Sequence, residues 1–170
     1  KHDELAQSIF IDMFGDPVKN EKGWVVKTIE ELVKKESHSI KRGPFGGALK
    51  KEIFVSDGYL VYEQFHALNN DFTFERYFID EKKYNELKAF DVKPKDIIVS
   101  CSGIYLGKLA IVPEKAKAGI INQALLKLSL NEKIFRNEFF VSVFSQENFK
   151  EKYLEKFRSI FAIKTKKINT

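Results

Sequence analysis

The sequence predicts one α/β or α+β domain, built on a curved, mostly antiparallel or mixed sheet with helices packed against it. Two observations predict this class. Short apolar runs of β-type composition alternate with polar turns that contain glycine, and amphipathic helical stripes lie before, between and after them. With 170 residues, 44% of them hydrophobic, the chain is long enough for one well-packed core and too short for two comfortable ones.

A leading helix is predicted over residues 3–14. Its apolar side chains recur every four residues, along the row Leu5, Ile9 and Met13. Gly15 ends the helix. Because this row is unusually apolar for a short helix, we expect it to contact a partner helix, and we interpret residues 1–14 as the end of a longer one. Residues 15–23 are predicted to be a linker, and residues 24–170 the main domain with its C-terminal helices.

Four apolar runs are predicted to be strands. They lie at residues 59–65, 97–99, 109–112 and 120–130. In the last run apolar and polar residues alternate from position 124, which is typical of a half-buried strand. A helix capped by Asp80 is predicted over residues 80–90, and two more are predicted from the apolar faces of residues 135–144 and 149–161.

The net charge of +5 is a weak sign of nucleic-acid binding, because it is unevenly distributed. Residues 150–170 hold seven Lys and Arg against two Glu, so residues 1–149 hold 22 bases and 22 acids. The informative charge is local. Residues 33–51 contain six cations and one acid, and they surround a Gly-Pro-rich stretch at residues 43–47 whose backbone must be irregular. Such a loop favours anions, although an ordinary solvated turn has the same composition.

Polar side chains cluster at the ends of two predicted strands. Amides and an imidazole occupy residues 64–70, and the pair Asn122 and Gln123 lies in the run at 120–130. Asn and Gln amides pair with the edge of adenine in the major groove, so these residues can read bases. They are equally suited to capping turns, and both interpretations stay open at this point.

Known catalytic motifs are not found in the sequence. The turn from Gly103 to Lys108 is too short for a phosphate-binding P-loop, and Leu109 replaces the hydroxyl that would hold magnesium. Cys101 is expected to pack as a small hydrophobic residue rather than to act as a nucleophile. No HExxH spacing or carboxylate cluster indicates a metal, and the Asn-Pro-Pro-Tyr motif that grips a flipped base in amino-methyltransferases does not occur. A binding module is therefore favoured over an enzyme.

Several stretches together resemble the specificity subunits of type I restriction-modification systems. This chain resembles the end of the conserved spacer helix and the domain entry of those subunits at residues 5–10, 13–17 and 23–24. It resembles successive segments of their target recognition domain at residues 43–50, 58–59 and 61–64, 93–100, and 119–125. At the central turn many members have Ser-Gly-Thr-Ile-Gly-Lys, whereas residues 102–108 are one residue longer.

The resemblance implies a target-recognition-domain fold that reads one half of a bipartite double-stranded DNA site. The expected partners are the methylation and restriction subunits of a type I system and a second recognition domain of the same subunit. S-adenosylmethionine, ATP and Mg²⁺ belong to those partners, so no cofactor and no catalysis are expected in this chain. No apolar run approaches a membrane span, and the single cysteine fits a reducing cytoplasm.

The resemblance also assigns candidate roles to residues. Contacts with the DNA backbone are expected from the basic glycine loop and the central turn, at Lys41, Arg42, Gly43, Lys50, Lys51 and Lys108. The candidates for base readout are Gln64, His66, Asn69, Asn70, Asn122 and Gln123. An alternative function is assembly, in which the helices, led by the row Leu5, Ile9 and Met13, dock methylation or restriction subunits.

Overall fold

The computed structural model describes residues 2–149 and 151–152. Contacts within the chain define two compact units. Residues 2–27 belong to one unit with the described residues from 139 onward, and residues 28–138 form the other. None of the described helices is long and apolar enough to cross a membrane.

The first unit contains the predicted leading helix, α1 (His2–Phe14). Gly15, at φ +78°, ends it, so this helix prediction is confirmed. Phe10 and Phe14 place their rings 5.8 and 5.0 Å from that of Phe139. The row Leu5, Ile9 and Met13 is exposed, and its contact with a partner helix stays a prediction.

The second unit contains two sheets and short helices. Its strands are β1 (Ile40–Arg42), β2 (Phe54–Val55), β3 (Tyr59–Tyr62), β4 (Phe78–Ile79), β5 (Asp91–Val92), β6 (Ile97–Ser100), β7 (Leu109–Ile111), β8 (Gly119–Ile121) and β9 (Leu125–Leu128). The helices are α2 (Ile29–Leu32), α3 (Gln64–Asn69), α4 (Glu81–Glu86) and α5 (Asn137–Phe144), the last of which continues into the first unit.

One sheet is antiparallel and the other is mixed. The antiparallel sheet has the order β1-β9-β6-β7, and the mixed sheet has the order β2-β4-β3-β8-β5. In the mixed sheet β3 runs parallel to β8, and its other pairs are antiparallel. The predicted fold class is confirmed, although two sheets replace the single sheet that was expected.

The prediction of one strand over residues 120–130 is wrong. The chain forms β8 and β9, which belong to different sheets and are separated by a turn at residues 122–124. The turn is held locally, because Asn122 Oδ1 accepts a hydrogen bond from the Ala124 N–H at 3.0 Å. The two sheets are therefore connected here by only three residues.

The expectation that β9 is half-buried is also wrong. All four residues of β9 are buried, including Lys127. Its Nζ donates a hydrogen bond to the Asp91 carbonyl oxygen at 2.5 Å. Burial lowers the pKa of Lys127 and raises the pKa of nearby Asp96, so the interior disfavours both charges.

Two further boundaries differ from the sequence prediction. The strand predicted over residues 59–65 ends at Tyr62, because α3 starts at Gln64, where the Glu63 N–H donates a hydrogen bond to His66 Nδ1 at 2.9 Å. The helix predicted over residues 80–90 is shorter, since α4 ends at Glu86 and a 3₁₀ turn follows at Lys88–Phe90. Asp80 caps α4 as predicted, by accepting a hydrogen bond from the Lys83 N–H at 2.7 Å.

The core of the second unit draws on both sheets. Leu60 and Ile121 from the mixed sheet, and Ile98 and Leu125 from the antiparallel sheet, are completely buried in one cluster. Helix α5 confirms the helix predicted over residues 135–144 except for its first two residues. Most of the helix predicted over residues 149–161, and the basic segment that ends the chain, lie outside the described residues.

Truncating Ile98 should destabilise the protein strongly, because its side chain is completely buried on a central strand. We expect Ile98→Ala to lower the free energy of unfolding by about 2–5 kcal/mol and Ile98→Val by about 0.5–1.5 kcal/mol. The control Val26→Ala, at an exposed site, should stay within about 0.5 kcal/mol of the parent. Urea unfolding followed by circular dichroism measures all three. An Ile98→Ala variant as stable as the control would contradict this core.

Candidate functional site

The ends of several strands meet at one edge of the second unit. Parallel strands β3 and β8 end there together, because Tyr62 lies opposite Ile121. In the antiparallel sheet, β9 begins at the same edge, where Leu125 lies opposite Ser100 at the end of β6. Strand β1 ends beside it at Arg42. We call the loops at this edge, residues 43–45, 63–70, 101–108 and 122–124, the strand-end surface. Lys50 and Lys51 lie further along the chain, before β2, which begins level with the opposite end of β3 at Tyr59.

Gly43 begins the Gly-Pro-rich stretch at residues 43–47, which we call the glycine loop, and packs it against the turn that joins the two sheets. Its N–H donates a hydrogen bond to the Leu125 carbonyl oxygen at 2.9 Å. A Cβ atom at Gly43 would lie 1.8 Å from the carbonyl oxygen of Asn122 and 2.9 Å from the amide nitrogen of Gln123. No side chain fits this space, so Gly43 is required for the close approach of two backbones.

Gln64 ties α3 to the central turn. Its Nε2 donates hydrogen bonds to Ser100 Oγ at 2.6 Å and to the Ser102 carbonyl oxygen at 2.7 Å. The Cys101 N–H donates to the Ala124 carbonyl oxygen at 2.8 Å, which connects the same turn to residues 122–124. The loops of this surface therefore hold one another by direct hydrogen bonds.

His66 is completely buried and its ring is satisfied inside the fold. Nε2 lies 2.9 Å from the Phe74 carbonyl oxygen, which can only accept, so Nε2 carries the proton. Nδ1 accepts a hydrogen bond from the Glu63 N–H at 2.9 Å. In this conformation both ring nitrogens face the protein, and His66 supports the start of α3.

The other candidates for base readout differ in exposure. Asn69, Asn70 and Gln123 are exposed, whereas Asn122 is half-buried and uses its Oδ1 within the turn. Asn69 Nδ2 donates to the Phe65 carbonyl oxygen at 3.0 Å, and Asn70 ends α3 in the left-handed conformation at φ +49°. The structure thus places exposed amides at two of the loops.

The predicted phosphate-binding cations also form two groups. Lys50, Lys51 and Lys108 are exposed. Lys41 and Arg42 are half-buried beside aromatic rings, with Lys41 Nζ 4.9 Å from the centre of Phe90 and Arg42 Cζ 4.8 Å from the centre of Phe45. The exposed group can meet an anion without rearrangement.

The central turn presents two apolar residues to solvent. A single 3₁₀ turn begins at Gly103, at φ +66°, and ends at Tyr105. Gly107, at φ +81°, follows it. At its tip Ile104 is 90% exposed and Tyr105 is 49% exposed. Sequence reasoning missed both residues, although an apolar pair between two glycines in a polar turn is a signal that could have identified them.

Cys101 packs as the small hydrophobic residue that was predicted. It is buried, and burial raises the pKa of its thiol to about 12, an effect that the charge of Arg42 only partly offsets. A thiol in this state carries almost no thiolate at neutral pH, so it is a poor nucleophile. Among the described residues, no group of three or more His, Cys, Asp or Glu side chains is placed to hold a metal ion.

Solved structures of type I restriction-modification proteins share this fold. A chain from a type I system studied for its complex assembly and conformational transition aligns with a TM-score of 0.57 and 14% identity, over 94% of this chain and 42% of that one. The HsdS subunit from Thermoanaerobacter tengcongensis aligns with a TM-score of 0.54 and 15% identity, over 90% of this chain and 34% of that one.

The target-recognition-domain fold expected from the sequence motifs is confirmed by these alignments. The chain spans less than half the length of either structure. No protein-family model and no curated protein matches the sequence.

Replacing Gly43 should disrupt the strand-end surface, because a Cβ there would collide with the backbone of Asn122. We expect Gly43→Ala to lower the free energy of unfolding by about 1–3 kcal/mol through overpacking. Urea unfolding measures the loss, and ¹H–¹⁵N spectra should show shifts at residues 122–125. Gly47→Ala is the matched control, since its Cβ would meet the flexible end of Lys50. Equal effects of the two substitutions would contradict the proposed role of Gly43.

Proposed function

We propose that this chain is a sequence-specific, double-stranded DNA-binding domain that reads one half of a bipartite target for a type I restriction-modification complex. The observation that carries the proposal is the strand-end surface, where the exposed Lys108 and exposed amides lie on loops that are hydrogen-bonded to one another. The fold that the chain shares with HsdS supports the same function.

The two kinds of side chain have separate tasks in DNA recognition. Cations neutralise phosphates and set the position of the protein on the duplex, whereas amides and apolar groups discriminate between bases. Lys50, Lys51 and Lys108 are exposed and suit the first task. The exposed amides suit the second, at Asn69, Asn70 and Gln123.

The more buried candidates have supporting roles in this proposal. Gln64 holds the central turn, His66 fixes the start of α3, and Asn122 closes the turn between β8 and β9. Each has polar atoms bonded within the protein. Their substitution would act on readout through the shape of the loops.

Catalysis would belong to other subunits of the complex. Methylation and restriction subunits would bind S-adenosylmethionine, ATP and Mg²⁺, and a second recognition domain would read the other half of the target. We place such a complex in the cytoplasm. This chain would supply the sequence preference and no reaction of its own.

A second candidate function is docking of partner subunits through α1. The observation in its favour is the exposed apolar row Leu5, Ile9 and Met13. Scattered exposed apolar residues are common on protein surfaces, but a row on one helix suits a partner helix. Docking and DNA recognition are compatible in one chain.

Removing a phosphate-contacting lysine should weaken DNA binding without changing the sequence preference. We expect Lys50→Ala and Lys108→Ala each to reduce the slope of log affinity against log salt by about 0.9, the contribution of one phosphate contact. Fluorescence anisotropy with labelled random-sequence duplexes, measured at several salt concentrations, provides the slopes.

The control is Lys115→Ala. Lys115 is exposed on the connection that enters β8 from the end opposite the strand-end surface. Lys115→Ala should therefore leave the slope of log affinity against log salt unchanged. Slopes unaffected in both test variants would remove these lysines from the interface, and self-association through α1 without any duplex binding would favour the docking function instead.

A further inference from the structure

We propose that Ile104, at the tip of the central turn, reads thymine by packing against its 5-methyl group in the major groove. This inference rests on the proposed DNA-binding function and identifies a residue that acts in it. It assigns a role in base readout to a side chain that has no hydrogen-bonding group.

Ile104 is the most exposed large hydrophobic side chain among the described residues, at 90%. A single exposed apolar residue needs no explanation on its own. Here, however, the neighbouring Tyr105 is also exposed, at 49%, and the pair lies on the surface that carries Lys108 and the exposed amides. Exposure and position together indicate a contact surface.

The base of the turn is fixed while its tip projects. The Ser100 N–H donates to the Lys108 carbonyl oxygen at 2.7 Å, and the Gly107 N–H donates to the Ser100 carbonyl oxygen at 2.9 Å. Leu106 is buried, and the Ser102 carbonyl oxygen accepts from Gln64 at 2.7 Å. The tip is therefore held in place before any ligand arrives, which limits the entropy lost on binding.

The chemistry of the turn divides between its base and its tip. Residues 101–107 carry no charged side chain, and the first cation is Lys108 at the base. Phosphates are bound mainly by cations and hydrogen-bond donors. Lys108 therefore suits a phosphate, whereas the side chain of Ile104 suits an uncharged apolar group.

Thymine supplies such a group. In the major groove its 5-methyl is an apolar group that thymine alone presents, and side chains without polar groups contact it. Ile104 therefore favours thymine over cytosine at one position of the half-site. The exposed amides of the neighbouring loops are free to specify adjacent positions by hydrogen bonds.

Replacing thymine by deoxyuridine tests this contact, because only the methyl group is lost. The 170-residue chain is first used to select sequences from a random duplex pool. In the selected duplex each thymine is then replaced singly by deoxyuridine. We expect one position at which the replacement weakens binding about three- to fivefold, the effect of burying one methyl group.

Ile104 variants then assign the contact to this side chain. Ile104→Ala should bind the thymine and deoxyuridine duplexes equally at that position, whereas Ile104→Val should keep most of the difference. Lys108→Ala is the matched control, and it should weaken binding to both duplexes while preserving their ratio. Circular dichroism should show that these exposed substitutions leave the fold intact.

The outcomes separate this inference from the proposed function. If the parent chain selects no sequence, both fail. If it selects a sequence but no thymine is sensitive to loss of its methyl, or if Ile104→Ala keeps the sensitivity of the parent, the role of Ile104 is overturned and DNA recognition stands. An insertion of Ile104 between base pairs would not depend on the thymine methyl group, so that outcome also overturns the proposed contact.

Discussion

The backbones of Gly43 and Asn122 approach so closely that a Cβ at Gly43 would lie 1.8 Å from the Asn122 carbonyl oxygen. This contact brings the glycine loop against the turn that joins the two sheets. The hydrogen bond from the Gly43 N–H to the Leu125 carbonyl oxygen holds it there. Because the central turn and α3 are bonded to the same region, the position of every loop on the strand-end surface depends on this approach.

On this surface, polar side chains that are hydrogen-bonded within the protein lie among polar side chains that are exposed. Gln64, His66 and Asn122 are occupied within the protein, whereas Asn69, Asn70 and Gln123 lie exposed beside them. Such a division allows the exposed positions to change without loss of the scaffold. It also explains why residue type alone does not distinguish the exposed residues from the supporting ones, since both groups contain amides.

Sequence patterns predicted the parts of the fold that depend on local chemistry. Strands β6 and β7 were predicted because apolar runs end at a polar, glycine-containing turn, and α1 because its apolar residues recur at helical spacing. The turn between β8 and β9 was missed because it contains neither glycine nor proline. Its local signal is Asn122, whose side chain accepts from the backbone two residues later.

The remaining features depend on contacts between distant residues. Nothing in the local sequence indicates that Gly43 meets Asn122, or that Gln64 reaches Ser100 across the edge of the sheets. The inward orientation of the His66 ring likewise depends on the carbonyl oxygen of Phe74, which lies in the loop between α3 and β4. The candidate residues were chosen from the sequence, but their division into exposed and supporting groups required the structure.

We propose that the strand-end surface forms one interface with duplex DNA. The most direct test is a ¹H–¹⁵N correlation spectrum of the chain titrated with double-stranded DNA carrying its selected sequence. We expect shifts at residues 43–45, 64–70, 101–108 and 122–124, with little change in α1. Shifts confined to α1, or distributed over the loops at the opposite ends of β3 and β8, would contradict it.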